Sequence, residues 1–110
     1  MFHLAYYLVK AKLKEGLLKE LERSLEDNSF INLEPFGRAL TFSLRNSRVD
    51  KTNNIIWEEE DYCTPPLAQE KAAVLDYYFE KLQVEKVNKG MGWEQIKTLP
   101  KLFKHLKKGI

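Results

Sequence analysis

The chain opens on an alternation. Phe2, Leu4, Tyr6 and Leu8 fall on one side of an extended chain, and Ala5, Tyr7, Val9 and Ala11 on the other. Both sides stay apolar until Lys10 and Lys12, the pattern of a strand buried on two faces in the middle of a sheet. The first thirteen residues are therefore expected to be a strand, and their β-branched and aromatic content favours that over a helix. From Lys14 the period changes. Leu13, Leu17, Leu18, Leu21 and Leu25 make one helical stripe, with Lys14, Glu15, Lys19, Glu22, Arg23 and Glu26 outside it. Asp27, Asn28 and Ser29 end that helix.

Residues 38 to 62 carry two readings. As a hairpin, Leu40, Phe42 and Leu44 alternate with Ala39, Thr41 and Ser43, a polar turn runs from Ser47 to Asn54, and Ile55, Ile56 and Trp57 open the return strand. A register whose residue numbers sum to 99 then sets Leu44 against Ile55, Phe42 against Trp57 and Arg38 against Asp61. As a helix opened by Pro35, the same stretch buries Phe36, Ala39, Leu40, Ser43 and Leu44. The hairpin completes a sheet and is the version carried into the fold.

Thr64, Pro65 and Pro66 then start a second long helix, with the hydroxyl as N-cap and the prolines where no helical N–H is needed. Leu67, Val74, Leu75, Tyr78, Phe79 and Leu82 form its stripe. Gln83 to Asn88, with Val84 and Val87 among charges, reads as an edge strand. Gly90 and Gly92 break the chain, and Glu94 to Lys108 reads as a helix interrupted at Pro100.

Strand, helix, strand, strand, helix, strand is the order of an α+β, ferredoxin-like split βαβ sandwich. That is an antiparallel four-stranded sheet with two helices on one face, here followed by a C-terminal helical tail. The expected division is residues 1–92 as the domain and residues 93–110 as a basic helical tail packing on it. Such an architecture hosts unrelated functions and brings no activity with it.

Composition narrows the class. A chain of 110 residues, 44% hydrophobic and 12% aromatic, has the length of one domain and enough apolar surface for a core. Its one cysteine, Cys63, makes neither an internal disulfide nor a cysteine-rich zinc site, and points to a reducing, cytoplasmic setting. Phe2 to Val9 is too short to span a membrane and lacks the basic start and cleavage site of a signal peptide, so neither is expected. The net charge is +2, yet five lysines follow residue 96 with no acid among them, which leaves the first 96 residues at −3. Ile96, Leu99, Leu102, Phe103 and Leu106 give that tail an apolar side. A basic amphipathic segment of this kind either docks on its own domain, the expectation here, or binds RNA, a membrane surface or an acidic partner. No glycine-rich phosphate loop is present, and nucleic acid is not an expected partner.

The chemistry concentrates in Glu58-Glu59-Glu60-Asp61, followed by Tyr62-Cys63-Thr64. On a strand, four consecutive carboxylates place a like-charged pair on each face, and a buried member would have a raised pKa. Those are conditions for a general acid or a divalent-cation site. The competing expectation is a strand that has run past the core into water. In the expected topology the first and third strands are antiparallel neighbours, which brings His3 beside the run. Glu58, Glu60, Asp61 and His3 are thus the metal candidates, and Glu58, Glu60, His3, Cys63 and Tyr62 the catalytic ones. Cys63 precedes a helix N-terminus that favours a thiolate, but the carboxylates oppose this, so a small half-buried junction residue is expected there. His105 sits in the basic tail. No motif names a cofactor.

Three functional readings follow. The leading one is a small cytoplasmic binding or assembly module, a homodimer with room for a protein partner, acting through an apolar sheet face rather than as an enzyme. The second is a small enzyme with a carboxylate and histidine site, open to a divalent metal, at the end of the third strand. The third is RNA or acidic-partner binding through the lysine-rich tail, with sheet aromatics stacking bases.

Overall fold

The computed structural model describes residues 4–106. The apolar alternation of the N-terminus forms β1 (Ala5–Leu13), which lies between β3 (Asn54–Asp61) and β4 (Phe79–Val87) and is antiparallel to both. Its neighbours on both edges make it central, but its two faces differ: Val9 and Ala11 are buried on the core face, whereas Tyr6 and Leu8 on the other are only half-buried. A two-residue β2 (Arg48–Val49) pairs with β3 on its far side, giving an antiparallel sheet of order β2-β3-β1-β4. On the core face Val9 stands opposite Trp57 and Ala11 opposite Ile55. The Trp57 ring packs 5.1 Å from that of Phe79.

The leucine stripe becomes α1 (Leu18–Glu26), which buries Leu21 and Leu25. Its start is later than the stripe suggests, because Gly16 at φ +82° turns the chain out of β1 first. The hairpin reading of residues 38–46 is overturned. They form α2 (Gly37–Arg45), with Leu40 and Leu44 buried one turn apart and Phe42 61% exposed. Leu40 and Leu44 suit a strand and a helix equally, since four is both twice two and about one helical turn. The helix packs its first turn closely on the preceding loop, since a Cβ at Gly37 would collide with the Phe30 carbonyl oxygen. The strand partner of Ile55 is Val49 rather than Leu44, across a turn in which the Asp50 carboxylate accepts the Thr52 and Asn54 N–H groups, each at 2.9 Å. Because β2 is so short, α2 covers part of the outer edge of β3, and the Ser43 hydroxyl donates to the Glu58 carbonyl at 2.8 Å.

The second long helix occupies residues 68–78, as α3 (Ala68–Glu70), a π-helical turn (Lys71–Leu75) and α4 (Asp76–Tyr78). Thr64 is not its N-cap. Leu67 is, in the left-handed region at φ +62°, and its N–H donates to the Asp61 carboxylate at 2.6 Å. Phe79 and Leu82 belong to β4, which starts earlier than expected and carries a bulge with Lys81 at φ +55°.

The tail is not the long helix that its periodicity suggests. α5 (Met91–Ile96) ends early, and residues 97–106 run as a strap beside β2. The Val49 N–H donates to Pro100 O and the Leu102 N–H to Ser47 O, both at 3.0 Å. Pro100 disfavours helix at the residue before it, and the strap satisfies its backbone on the β2 edge instead. Phe103 is 4% exposed within the main core. No helix of the described residues is long and apolar enough to cross a membrane.

Candidate functional site

The second half of β3 carries the acidic run, and it does not project into water. Glu58, Glu59 and Asp61 are buried and Glu60 is half-buried. Alternation sends Glu58 and Glu60 to one face and Glu59 and Asp61 to the face of Trp57. The two pairs meet different surroundings.

Glu58 reaches the start of α5. Its carboxylate accepts the Gly92 N–H at 2.7 Å, the Gly90 N–H at 2.9 Å and the Trp93 N–H at 3.3 Å. These are free donors of a helix N-terminus, so Glu58 acts as an N-cap supplied from another element. Both of its oxygens are engaged.

On the other face the acids converge, and among the described residues none of them forms an ion pair. Glu59 has no exposed surface. The Trp57 indole N–H donates to its Oε1 at 3.1 Å, while its Oε2 has no hydrogen-bond partner. Burial, and then the Glu70 carboxylate, push Glu59 well above the usual carboxylate range, the Trp57 N–H only partly opposing. Glu70 comes from α3, is 1% exposed, and its Oε1 is likewise buried and unpartnered. Burial and the neighbouring Asp61 carboxylate push it up to about 7. Cys63 completes the group. Oxygens of Asp61 and Glu70 and the Cys63 Sγ all lie within 4.8 Å of one another. Burial and the Asp61 carboxylate raise the thiol, against a hydrogen bond from the Gln69 backbone, so it is not an activated nucleophile.

This cluster opens on a cavity of about 160 Å³ whose lining includes Pro35, Phe36 and Arg38 opposite Asp61, Cys63 and Glu70. Tyr62, 47% exposed, also lines it. A second, larger cavity of about 420 Å³ shares Arg38, Ala39 and Glu60 with the first and continues to Tyr6, Phe42, Lys89 and Trp93.

Of the residues singled out in the sequence, Asp61 and Cys63 meet in one cluster, Glu60 and Tyr62 border it, and Glu58 is turned away to cap α5. β1 and β3 are antiparallel neighbours, but His3 lies outside the described residues. Glu70 was missed. Its signal was present, because it falls on the stripe of Leu67 and Val74 at helical spacing, a position where a carboxylate is costly unless it has work to do. Comparison with protein-family models, with curated proteins and with solved structures returns no match to this chain. The chain is a small α+β domain with a four-stranded antiparallel sheet and, at the end of β3, a cluster of two buried acids and a half-buried thiol.

Proposed function

We propose that this is a small metal-dependent enzyme in which Asp61, Cys63 and Glu70 hold one divalent transition-metal ion facing the cavity. The observation that carries the reading is the Glu70 Oε1, buried and without a partner, beside the Asp61 carboxylate and the Cys63 thiol. Acidic groups brought together out of water must either keep their protons or share a cation. A sulfur with two carboxylate oxygens suits a borderline-soft ion such as Zn²⁺ and not Mg²⁺ or Ca²⁺, which take oxygen ligands. Three protein ligands leave a fourth position for water or substrate, the pattern of catalytic rather than structural zinc sites. The ion would be held by two carboxylates and a thiolate, so protons compete with it and affinity would fall in acid.

The test is thermal melting with Zn²⁺, Co²⁺, Mg²⁺ and Ca²⁺, together with the metal content of the purified protein. At a free concentration of ~100 times the dissociation constant, a ligand of the folded state adds ~2.7 kcal/mol of stability. Stabilisation is expected for Zn²⁺ and Co²⁺, with a thiolate absorption band in the Co²⁺ form that Cys63→Ser removes and a loss of the shift in Glu70→Gln. If no divalent ion stabilises the protein, the cluster is a proton-sharing pair of acids and the metal reading fails.

A homodimeric assembly module in the reducing cytoplasm, open to a protein partner, is the second reading. Its support is the outer edge of β4, which is unpaired among the described residues and exposes Val84. Light scattering that gives a monomer would remove it. The split βαβ assignment is also a proposal, supported by a central β1 between antiparallel β3 and β4, with α2 as an added helix before a shortened β2.

A further inference from the structure

We propose that the larger cavity is a binding groove for a small molecule with a flat apolar body and an anionic group, a carboxylate or a phosphate. The groove stands on its own observations. Only its service to the Asp61, Cys63 and Glu70 site, as the place where the substrate lies, rests on the metal reading.

Its size, about 420 Å³, is within the ~300–1,000 Å³ common for small-molecule sites. The floor is the sheet face carrying Tyr6, Glu58 and Glu60; one wall is α2, and the other is the turn into α5. Phe42 projects from α2 at 61% exposure, and its ring meets that of Trp93 edge to face, with centroids 6.3 Å apart and planes at 87°. An exposed phenylalanine alone means little. Three aromatic rings from three separate elements around one concave surface offer edges and faces to a planar guest.

The charge selects an anion. Arg38 and Lys89 line the groove, and among the described residues neither has a carboxylate within ion-pairing distance. The Lys89 ammonium lies 6.0 Å from the Tyr6 ring centroid, at the outer limit of a cation–π contact. Of the two acids, Glu58 is compensated by three backbone N–H groups, which leaves Glu60 against two cations. Arginine is suited to bidentate recognition of carboxylate or phosphate. Arg38 and Glu60 also line the acid cavity, so a guest held by its anion at the rim has a path to Asp61, Cys63 and Glu70.

The experiment uses the full chain with a chelator present, so its outcome does not depend on whether the acid cluster holds a metal. Four probes share one ring: para-nitrobenzoate, para-nitrophenyl phosphate, para-nitrobenzyl alcohol and para-nitrobenzylamine. Binding is read by calorimetry and by quenching of tryptophan fluorescence. One or both anions are expected to bind about tenfold or more tightly than the alcohol and the amine, a ratio that shrinks with salt. If only one anion binds, it distinguishes carboxylate from phosphate as the group recognised. Arg38→Glu and Lys89→Glu should each weaken the anion by about tenfold. Phe42→Ala should weaken all binding while the protein stays folded with only a small drop in melting temperature, because the ring is exposed and its one ring contact is with Trp93. Saturable binding of the alcohol or amine as tight as the anions, an unchanged affinity in Phe42→Ala, or no binding by any probe would overturn the proposal.

Discussion

Glu58 and Gly92 are matched to one another. The carboxylate of Glu58, on β3, accepts the Gly92 N–H at 2.7 Å, and a Cβ at Gly92 would stand 2.8 Å from that same oxygen and 3.2 Å from the Glu58 Cβ. The cap and the missing side chain are two halves of one contact. It holds α5 against the sheet and fixes one wall of the aromatic groove.

Glu58→Ala leaves three buried or half-buried N–H groups without their acceptor and should cost ~1–3 kcal/mol in chemical denaturation. Gly92→Ala should cost a similar amount through overpacking, ~1–3 kcal/mol. In the double variant the penalties should fall short of their sum, since removing the Glu58 side chain makes room for the methyl group. Full additivity would show that the two do not share a contact.

Gly37 is the more severe position. An added Cβ would meet the backbone oxygens of Phe30 and Ile31, and backbone cannot swing aside as a side-chain end can. Gly37→Ala is expected to lose at least ~2 kcal/mol, despite the usual helix preference for alanine over glycine of ~1 kcal/mol. A stabilised variant would mean that α2 does not pack on that loop.

The pH dependence of stability has a definite sign in metal-free protein. Glu70 is raised from 4.5 to about 7 in the folded state, so the folded protein binds more protons than the unfolded chain between those values. Its contribution is therefore full below about pH 4.5, falls as pH rises, and is gone above about pH 7. The loss is on the order of 3 kcal/mol. Glu70→Gln should flatten this window in denaturant titrations from pH 4.5 to 7. Glu59, raised by burial, acts in the same direction. A stability difference between the parent and Glu70→Gln that is constant across the window would refute the assignment.

The strap is tested at Phe103, which is 4% exposed and packs in the core. Phe103→Ala should cost ~3–5 kcal/mol, a large part of the ~5–15 kcal/mol by which small domains are stable. Lys104→Ala, next to it and exposed, should change stability by less than ~0.5 kcal/mol. Equal small effects at both positions would mean that the strap contributes nothing to the fold.

Much of the architecture was legible in the residues. The two-sided apolar run of β1 announces a central strand, the leucines of α1 a helix, and Ile55 to Asp61 a strand whose last residues are acidic. The site was legible in part. Asp61 and Cys63 stand in the acidic stretch that drew attention, whereas the place of Glu58 as a cap for α5 depends on a partner 34 residues away.

What the sequence determined by itself is what local periodicity can encode: which segments have an apolar face, where breakers interrupt them, and where the carboxylates cluster along the chain. What only the tertiary structure decided is how ambiguous segments resolve and which carboxylates are enclosed together. Leu40 and Leu44 satisfy both a strand and a helix, and it is as a helix, with Gly37 against the backbone of residues 30–31, that they are buried. The apolar steps of the tail satisfy a helix, and the open backbone of Ser47 and Val49 takes it as a strap. Four adjacent acids look alike along the chain, but alternation of the strand sends Glu58 to the free N–H groups of α5 and Asp61 to Cys63 and Glu70. The free energy of each arrangement resides in contacts between residues far apart in sequence, and local pattern carries no record of them.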